Sequence, residues 1–146
     1  MIRCILLLAA LALSACGLPT DSATPVPGDP RVQRQVWERQ GIDDYRFSFG
    51  RTCFCTELPA LRVEVRNGRI SDVRELESGR LVARERWDEI PTVDALFDRI
   101  DQAQAQGEYN EASYHPTLGY PMRAVIGTLA NDAGVSYTLD DLREID

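Results

Sequence analysis

The sequence predicts an α+β fold. It is a single domain in which an antiparallel sheet of about six to seven strands, joined as β-meander hairpins, packs against two helices. Three observations predict it. Tyr45, Phe47 and Phe49 alternate with Arg46 and Ser48, and Leu61, Val63 and Val65 alternate with Arg62, Glu64 and Arg66, the period of a half-buried strand. Asn67-Gly68 follows the second run, and that dipeptide between alternating hydrophobics is the strongest short hairpin signal. Val93, Leu96, Phe97, Ile100 and Ala103 recur at helical spacing. The element order reads α-βββ(β)-α-βββ.

The chain in order justifies each element. Residues 1–15 read as a secretory signal, with a basic start at Met1-Ile2-Arg3, an apolar stretch from Ile5 to Ala12 and a small-residue exit at Leu13-Ser14-Ala15. The stretch is too short for a permanent bilayer span. Residues 16–28 carry Pro19, Pro25 and Pro27 among small and polar residues and predict a disordered tether. The globular domain is expected over residues 29–146. Asp29 as N-cap and Pro30 in the first turn open a short helix with Val32, Val36 and Trp37 as its apolar stripe and Gly41 as its stop.

Tyr45 begins a strand whose phase puts Cys53 and Cys55 on the face of the aromatics, and Gly50 and Phe54 predict a bulge along it. Leu58-Pro59 ends it. After the Leu61–Val65 run and its turn, the return strand spans Arg69 to Leu76. Ile70 lies near Val65, and Val73 falls out of phase, which predicts a second bulge or twist. Glu77–Arg80 is a turn, and Leu81-Val82-Ala83 a further short edge strand. Thr92 caps the main helix, Asp94 sits in its first turn and Gly107 ends it. Strands follow at Glu111–Tyr114 and Met122–Thr128, around a loop at His115–Pro121. A turn at Asn131–Gly134 leads to a last strand holding Val135, Tyr137 and Leu139. Short turns demand antiparallel pairing, and both helical stripes need one face of the sheet.

Leu13-Ser14-Ala15-Cys16 resembles the lipobox of bacterial lipoproteins. The resemblance implies cleavage before Cys16, a diacylglycerol on its thiol and acylation of its new amine, with palmitate as the acyl class. More than one chain gives stable anchoring. The alternative is an ordinary signal peptide with a chance cysteine. Gly17 follows rather than Asp, so nothing marks retention at the inner membrane. The expected place is the bacterial cell envelope, anchored on the outer side of the cytoplasmic membrane or in the outer membrane.

Removing 15 residues from 146 leaves 131, and the loss of Arg3 alone among charged groups takes the net charge from −7 to −8. A chain this acidic is a poor partner for nucleic acid or for anionic lipid beyond its anchor, and no nucleic-acid partner is expected. All sixteen basic residues are Arg. That excludes a Schiff-base lysine and a P-loop lysine.

The chain also resembles a family of small secreted bacterial lipoproteins, the domain of unknown function 6174. The residues that carry the resemblance are Trp37, Tyr45-Arg-Phe-Ser-Phe49, Cys53-Phe-Cys55, Val63-Glu-Val65, Asn67-Gly-Arg-Ile70, Pro91-Thr-Val-Asp-Ala-Leu-Phe97 and Tyr114-His-Pro-Thr-Leu-Gly-Tyr-Pro121, in that order and spacing. The family usually has Asp after the tyrosine, where this chain has His115. It also tends to carry a run of acids before its last strand, where this chain has Asn131-Asp132-Ala133-Gly134. A cation-binding role for those acids therefore does not carry over. The resemblance implies a fold and no activity.

Few residues are left to carry chemistry. With Cys4 in the signal and Cys16 committed to lipid, Cys53 and Cys55 remain, in an oxidising compartment. Three states are open to them: a structural disulfide, a redox-active dithiol, or a metal site completed by His115. The disulfide requires a bend, because residues i and i+2 of a regular strand lie roughly 6.5–7 Å apart, at the upper edge of disulfide geometry.

His115, the only histidine, forms with Tyr114 and Tyr120 a candidate ligand-binding set; the plainer reading is a loop residue. Arg62, Arg66, Arg69 and Arg74 on the hairpin offer either an anion-binding face or partners for Glu64, Asp72 and Glu75. The Gly-x-Ser-x-Gly, His-Glu-x-x-His and phosphate-loop motifs are absent, and no cofactor is implied. The leading expectation is thus a non-enzymatic domain, held to the membrane through lipid on Cys16, that binds an envelope protein or polymer. The alternative is a redox or metal-binding module built on Cys53 and Cys55.

Overall fold

A computed structural model describes residues 23–127 and 134–146. The stretch read as a signal, Cys16, most of the expected tether, the Thr128 end of the strand expected from Met122 and residues 131–133 of the expected turn lie outside the described residues. The described elements are β1 (Val26–Pro27), α1 (Pro30–Glu38), β2 (Tyr45–Cys53), β3 (Leu61–Arg66), β4 (Arg69–Glu75), a 3-10 helix (Arg84–Glu89), α2 (Val93–Gln106), β5 (Tyr109–Tyr114), β6 (Pro121–Ile126) and β7 (Val135–Glu144). All seven strands form one antiparallel sheet in the order β1-β5-β6-β7-β2-β3-β4. Two meanders, β2-β3-β4 and β5-β6-β7, are therefore joined where β7 pairs with β2 at the middle of the sheet. This is the expected α+β architecture.

One face of the sheet makes the core. Tyr45, Phe47 and Phe49 of β2 and Leu61, Val63 and Val65 of β3 are all buried. Helix α2 lays Val93, Leu96, Phe97, Ile100 and Ala103 on this face, as its periodicity demands. Its ends are those read from the sequence: Thr92 Oγ1 accepts from Ala95 N at 3.2 Å, and Gly107 closes it in the left-handed conformation. The Tyr45 hydroxyl, buried beneath the helix, accepts a hydrogen bond from Val93 N at 3.1 Å. Burial raises the phenol's pKa above its ordinary range.

Helix α1 is fixed to α2 by polar contacts. Trp37 Nε1 donates to Asp94 at 3.2 Å, and Arg34 reaches Asp98 at 2.7 Å and Asp101 at 2.9 Å. The Trp37 indole stands edge-on to Tyr45, with centroids 5.4 Å apart.

The register shifts on either side of the β2–β3 pair have a packing cause. Val65 pairs with Ile70 but Glu64 with Asp72, so β4 carries one extra residue there, and this brings Val73 into the core. On the other side of β2, Arg46 pairs with Arg143 but Ser48 with Asp140. The extra residue lies on β7, where Asp141 has φ +52. The bulge lets Leu139 and Leu142, three positions apart, both face the core.

Several expectations are corrected. The bulge expected near Gly50 and Phe54 is absent from β2, which pairs regularly with β7 from Phe49 to Cys53. The fold begins before residue 29, because Val26 and Pro27 pair with Tyr114 and Ser113 as an edge strand. Val32 is 55% exposed; α1 is too short to bury more than the Trp37 side of its stripe. Leu81 makes one bridge to Arg74 instead of opening a strand. The chain then turns into the 3-10 helix, pinned by Trp87 Nε1 donating to the carbonyl of Val82.

Candidate functional site

Cys53 is the last residue of β2, opposite Val135. The chain bends directly after it, and the Cα atoms of Cys53 and Cys55 lie 5.2 Å apart, joined as a disulfide. The bend needed for bonding is thus present, and it takes Cys55 off the strand. Cys53 is half-buried and Cys55 exposed, so the pair does not extend the aromatic face as its phase predicts. Phe54, between them, is 74% exposed.

Arg51 anchors this loop. Its guanidinium is nearly buried, contacts Glu89 at 2.8 Å and donates to the carbonyl of Thr56 at 2.9 Å. The hydrogen bond from Arg51 holds the Glu89 carboxyl below its ordinary range, with Arg86 adding to the effect. A cavity of 210 Å³ beside the disulfide is lined by Arg51, Thr52, Glu57 and Leu58 together with the cysteines.

Tyr114, His115 and Tyr120, the candidate ligand-binding set, lie close together and face inward. Tyr114 is fully buried with its ring stacked on Phe97, and burial raises its phenol pKa. His115 is 5% exposed and its ring stacks on Tyr120 at 5.1 Å. Its Nδ1 accepts from Thr117 N at 3.2 Å and Leu118 N at 3.0 Å, so the neutral ring carries its proton on Nε2. The backbone closes the same turn, His115 N donating to the Tyr120 carbonyl and Gly119 N to that of His115. The imidazole organises a β5–β6 turn that docks on α1.

The metal set of Cys53, Cys55 and His115 is not assembled. Cys53 lies opposite Val135, Val135 opposite Ile126 and Ile126 opposite Tyr109, at one end of the sheet. His115 lies beyond the other end of β5, roughly 17–20 Å along a six-residue strand.

The opposite face of the sheet joins Arg62, which the sequence reading named, to Arg46, Ser48 and Arg143, which it missed. There β7, β2 and β3 present Arg143, Arg46, Ser48 and Arg62 side by side, Arg46 opposite Arg143 and Ser48 opposite Arg62. With Asp141 at the bulge and Leu76 they line a cleft of 370 Å³. Of the other hairpin arginines, Arg66 and Arg74 behave in the plainer way, while Arg69 makes no ion pair among the described residues. Arg66 pairs with Glu64 at 3.2 Å and Asp44 at 3.5 Å, Arg74 with Asp72 at 2.8 Å, and Arg80 with Glu75 at 2.8 Å. Among the described residues, Arg46, Arg62 and Arg143 make no ion pair.

Residues 30–144 match the model of the family of unknown function DUF6174, over nearly all of the described domain. The chain belongs to that family. No curated protein and no solved structure matches it. Membership in the DUF6174 family therefore assigns no activity, and the site must be argued from its own geometry. Two places stand out: the Cys53–Cys55 loop with Arg51, and the arginine cleft on the uncovered face.

Proposed function

We propose that this DUF6174 domain is a non-enzymatic binding domain of the bacterial cell envelope, held at the membrane by lipid on Cys16. The observation that carries the reading is the succession of basic start, apolar stretch and Leu13-Ser14-Ala15-Cys16, with the first described strand beginning ten residues further on at Val26. Two features of the fold support a binding role. The helices occupy one face of the sheet and leave the other to solvent-facing polar side chains. The sole histidine is committed to a turn. The expected partner is an envelope component.

Metabolic labelling tests the tether. Cells fed radiolabelled palmitate should yield a labelled, membrane-bound protein, and Cys16→Ala should remove both label and membrane association. An unlabelled wild-type protein would sink the reading.

A second reading, thiol–disulfide exchange at Cys53 and Cys55, is favoured by the Arg51 guanidinium beside the disulfide, which would stabilise a thiolate. Its test is the reduction potential of the folded protein. A value below about −300 mV, typical of structural disulfides, would rule it out.

A further inference from the structure

We propose that the cleft lined by Arg46, Arg62 and Arg143 binds a dianionic oxyanion ligand of the phosphate-monoester class. The proposal rests on the reading of the domain as a binding module and names the chemistry of its ligand.

Register comes first. Arg46 of β2 lies directly opposite Arg143 of β7, and Arg62 of β3 lies opposite Ser48, the next residue of β2 on the same face. Like charges placed directly across a strand pair are unfavourable, and a chain with 23 acids and 16 bases has ample means to neutralise them. It does not do so here. Glu64, opposite Arg46, is engaged by Arg66, which also holds Asp44; Asp72 is engaged by Arg74. Among the described residues none of these three arginines makes an ion pair, although Asp141 shares the cleft and Asp140 lies opposite Ser48.

The lining fixes the ligand's charge and shape. Three guanidinium groups and the Asp141 carboxylate give the cleft a charge of about +2, which matches a phosphate monoester near neutral pH. Asp141 reaches the cleft because the β7 bulge holds it at φ +52. Guanidinium forks bind phosphate oxygens in pairs, and the Ser48 hydroxyl adds a neutral donor. The volume of 370 Å³ falls within the range of small-ligand sites and exceeds what a bare phosphate fills. Leu76, 37% exposed on one wall, supplies an apolar surface for the organic part of an ester.

Calorimetric titration of the full mature protein in non-ionic detergent at low salt, with inorganic phosphate, glycerol phosphate and dihexanoyl phosphatidate as probes, tests the assignment. One ester should bind per chain, saturably. Arg62→Gln and Arg143→Gln should each weaken binding about tenfold or more, and the triple variant with Arg46→Gln should abolish it. Arg31→Gln, which alters an exposed, paired arginine on α1 away from the cleft, should leave affinity within about twofold, and Asp141→Asn should tighten it.

Stronger binding of phosphatidate than of glycerol phosphate assigns the ester to a lipid headgroup, and equal binding assigns it to a soluble compound. The proposal is overturned if no probe saturates, if the triple variant, shown folded by thermal unfolding, binds like wild type, or if Arg31→Gln loses as much as Arg62→Gln. Palmitate labelling without ester binding overturns the cleft and leaves the tether standing. Ester binding without labelling does the reverse.

Discussion

The Tyr45 hydroxyl meets the Val93 amide at 3.1 Å where both residues are fully buried. Tyr45→Phe keeps the ring and removes the acceptor, which leaves a buried N–H at the start of α2 without its partner. The expected loss is about 1–3 kcal/mol, read as a lowered urea midpoint at unchanged slope. The cysteines lead to the opposite expectation. A disulfide that closes a loop of two residues' separation removes little unfolded-chain entropy, about 1–2 kcal/mol before any strain. Replacing both Cys53 and Cys55 by Ser should therefore cost less than about 2 kcal/mol, and a larger loss in the same denaturation would show that the loop organises more of the fold than its own bend. Both residues are conspicuous in the sequence, one as an aromatic at the head of a strand and one as half of a Cys-x-Cys pair. The part the Tyr45 hydroxyl plays at the start of α2 is visible only in the packing.

Two turn glycines separate conformation from space. Gly79 and Gly119 have nearly the same backbone, φ +69 and φ +77. A Cβ on Gly79 would meet nothing within 4 Å, whereas one on Gly119 would lie 2.7 Å from the carbonyl oxygen of Gln33 and 2.8 Å from Val36 Cβ, against α1. Gly79→Ala should cost only the left-handed conformation, about 1–2 kcal/mol. Gly119→Ala must also push α1 from the β5–β6 turn and should cost about 2–5 kcal/mol by denaturant unfolding. Equal losses would show that the turn does not seat the helix. The family-like stretch through Tyr120 marks this turn in the sequence, but its contact with α1 joins residues far apart in the chain. The same limit separates what is legible from what is not among the elements. Helix α2 and the β3–β4 hairpin are written in local period and caps, and their edges fall where those signals put them. Strand β1 has two residues, one of them Pro, and exists because β5 leaves an edge open beside it. The 3-10 helix has no apolar period at all; Trp87 and its bond to Val82 hold it.

At the scale of the whole molecule, the arginine cleft is assembled by strand order. Alternation alone places Arg46 and Arg62 away from the core. Nothing local states that Arg143, nearly a hundred residues beyond Arg46, lies opposite it, because that depends on β7 pairing with β2 across the junction of the two meanders. The charge composition behind the cleft also makes one global property readable. Burial raises the phenol pKa of both Tyr45 and Tyr114 above the ordinary value of 10.0. In the unfolded chain these phenols ionise near pH 10, while in the fold they keep their protons. Above that pH the unfolded state therefore binds fewer protons than the native state, and stability falls as pH rises. Their contribution is complete below pH ~10 and is lost beyond it, with a slope of up to about 1.4 kcal/mol per pH unit for each phenol. Because every basic side chain is Arg, no lysine titrates in this window to obscure the slope. Urea midpoints should thus be level between about pH 8 and 9.5 and drop steeply above about 10. Tyr45→Phe, less stable at neutral pH, should show a shallower alkaline decline than the wild type. Parallel alkaline limbs for the two proteins would mean that the Tyr45 hydroxyl is reached by solvent and that the seal between β2 and the start of α2 is not closed.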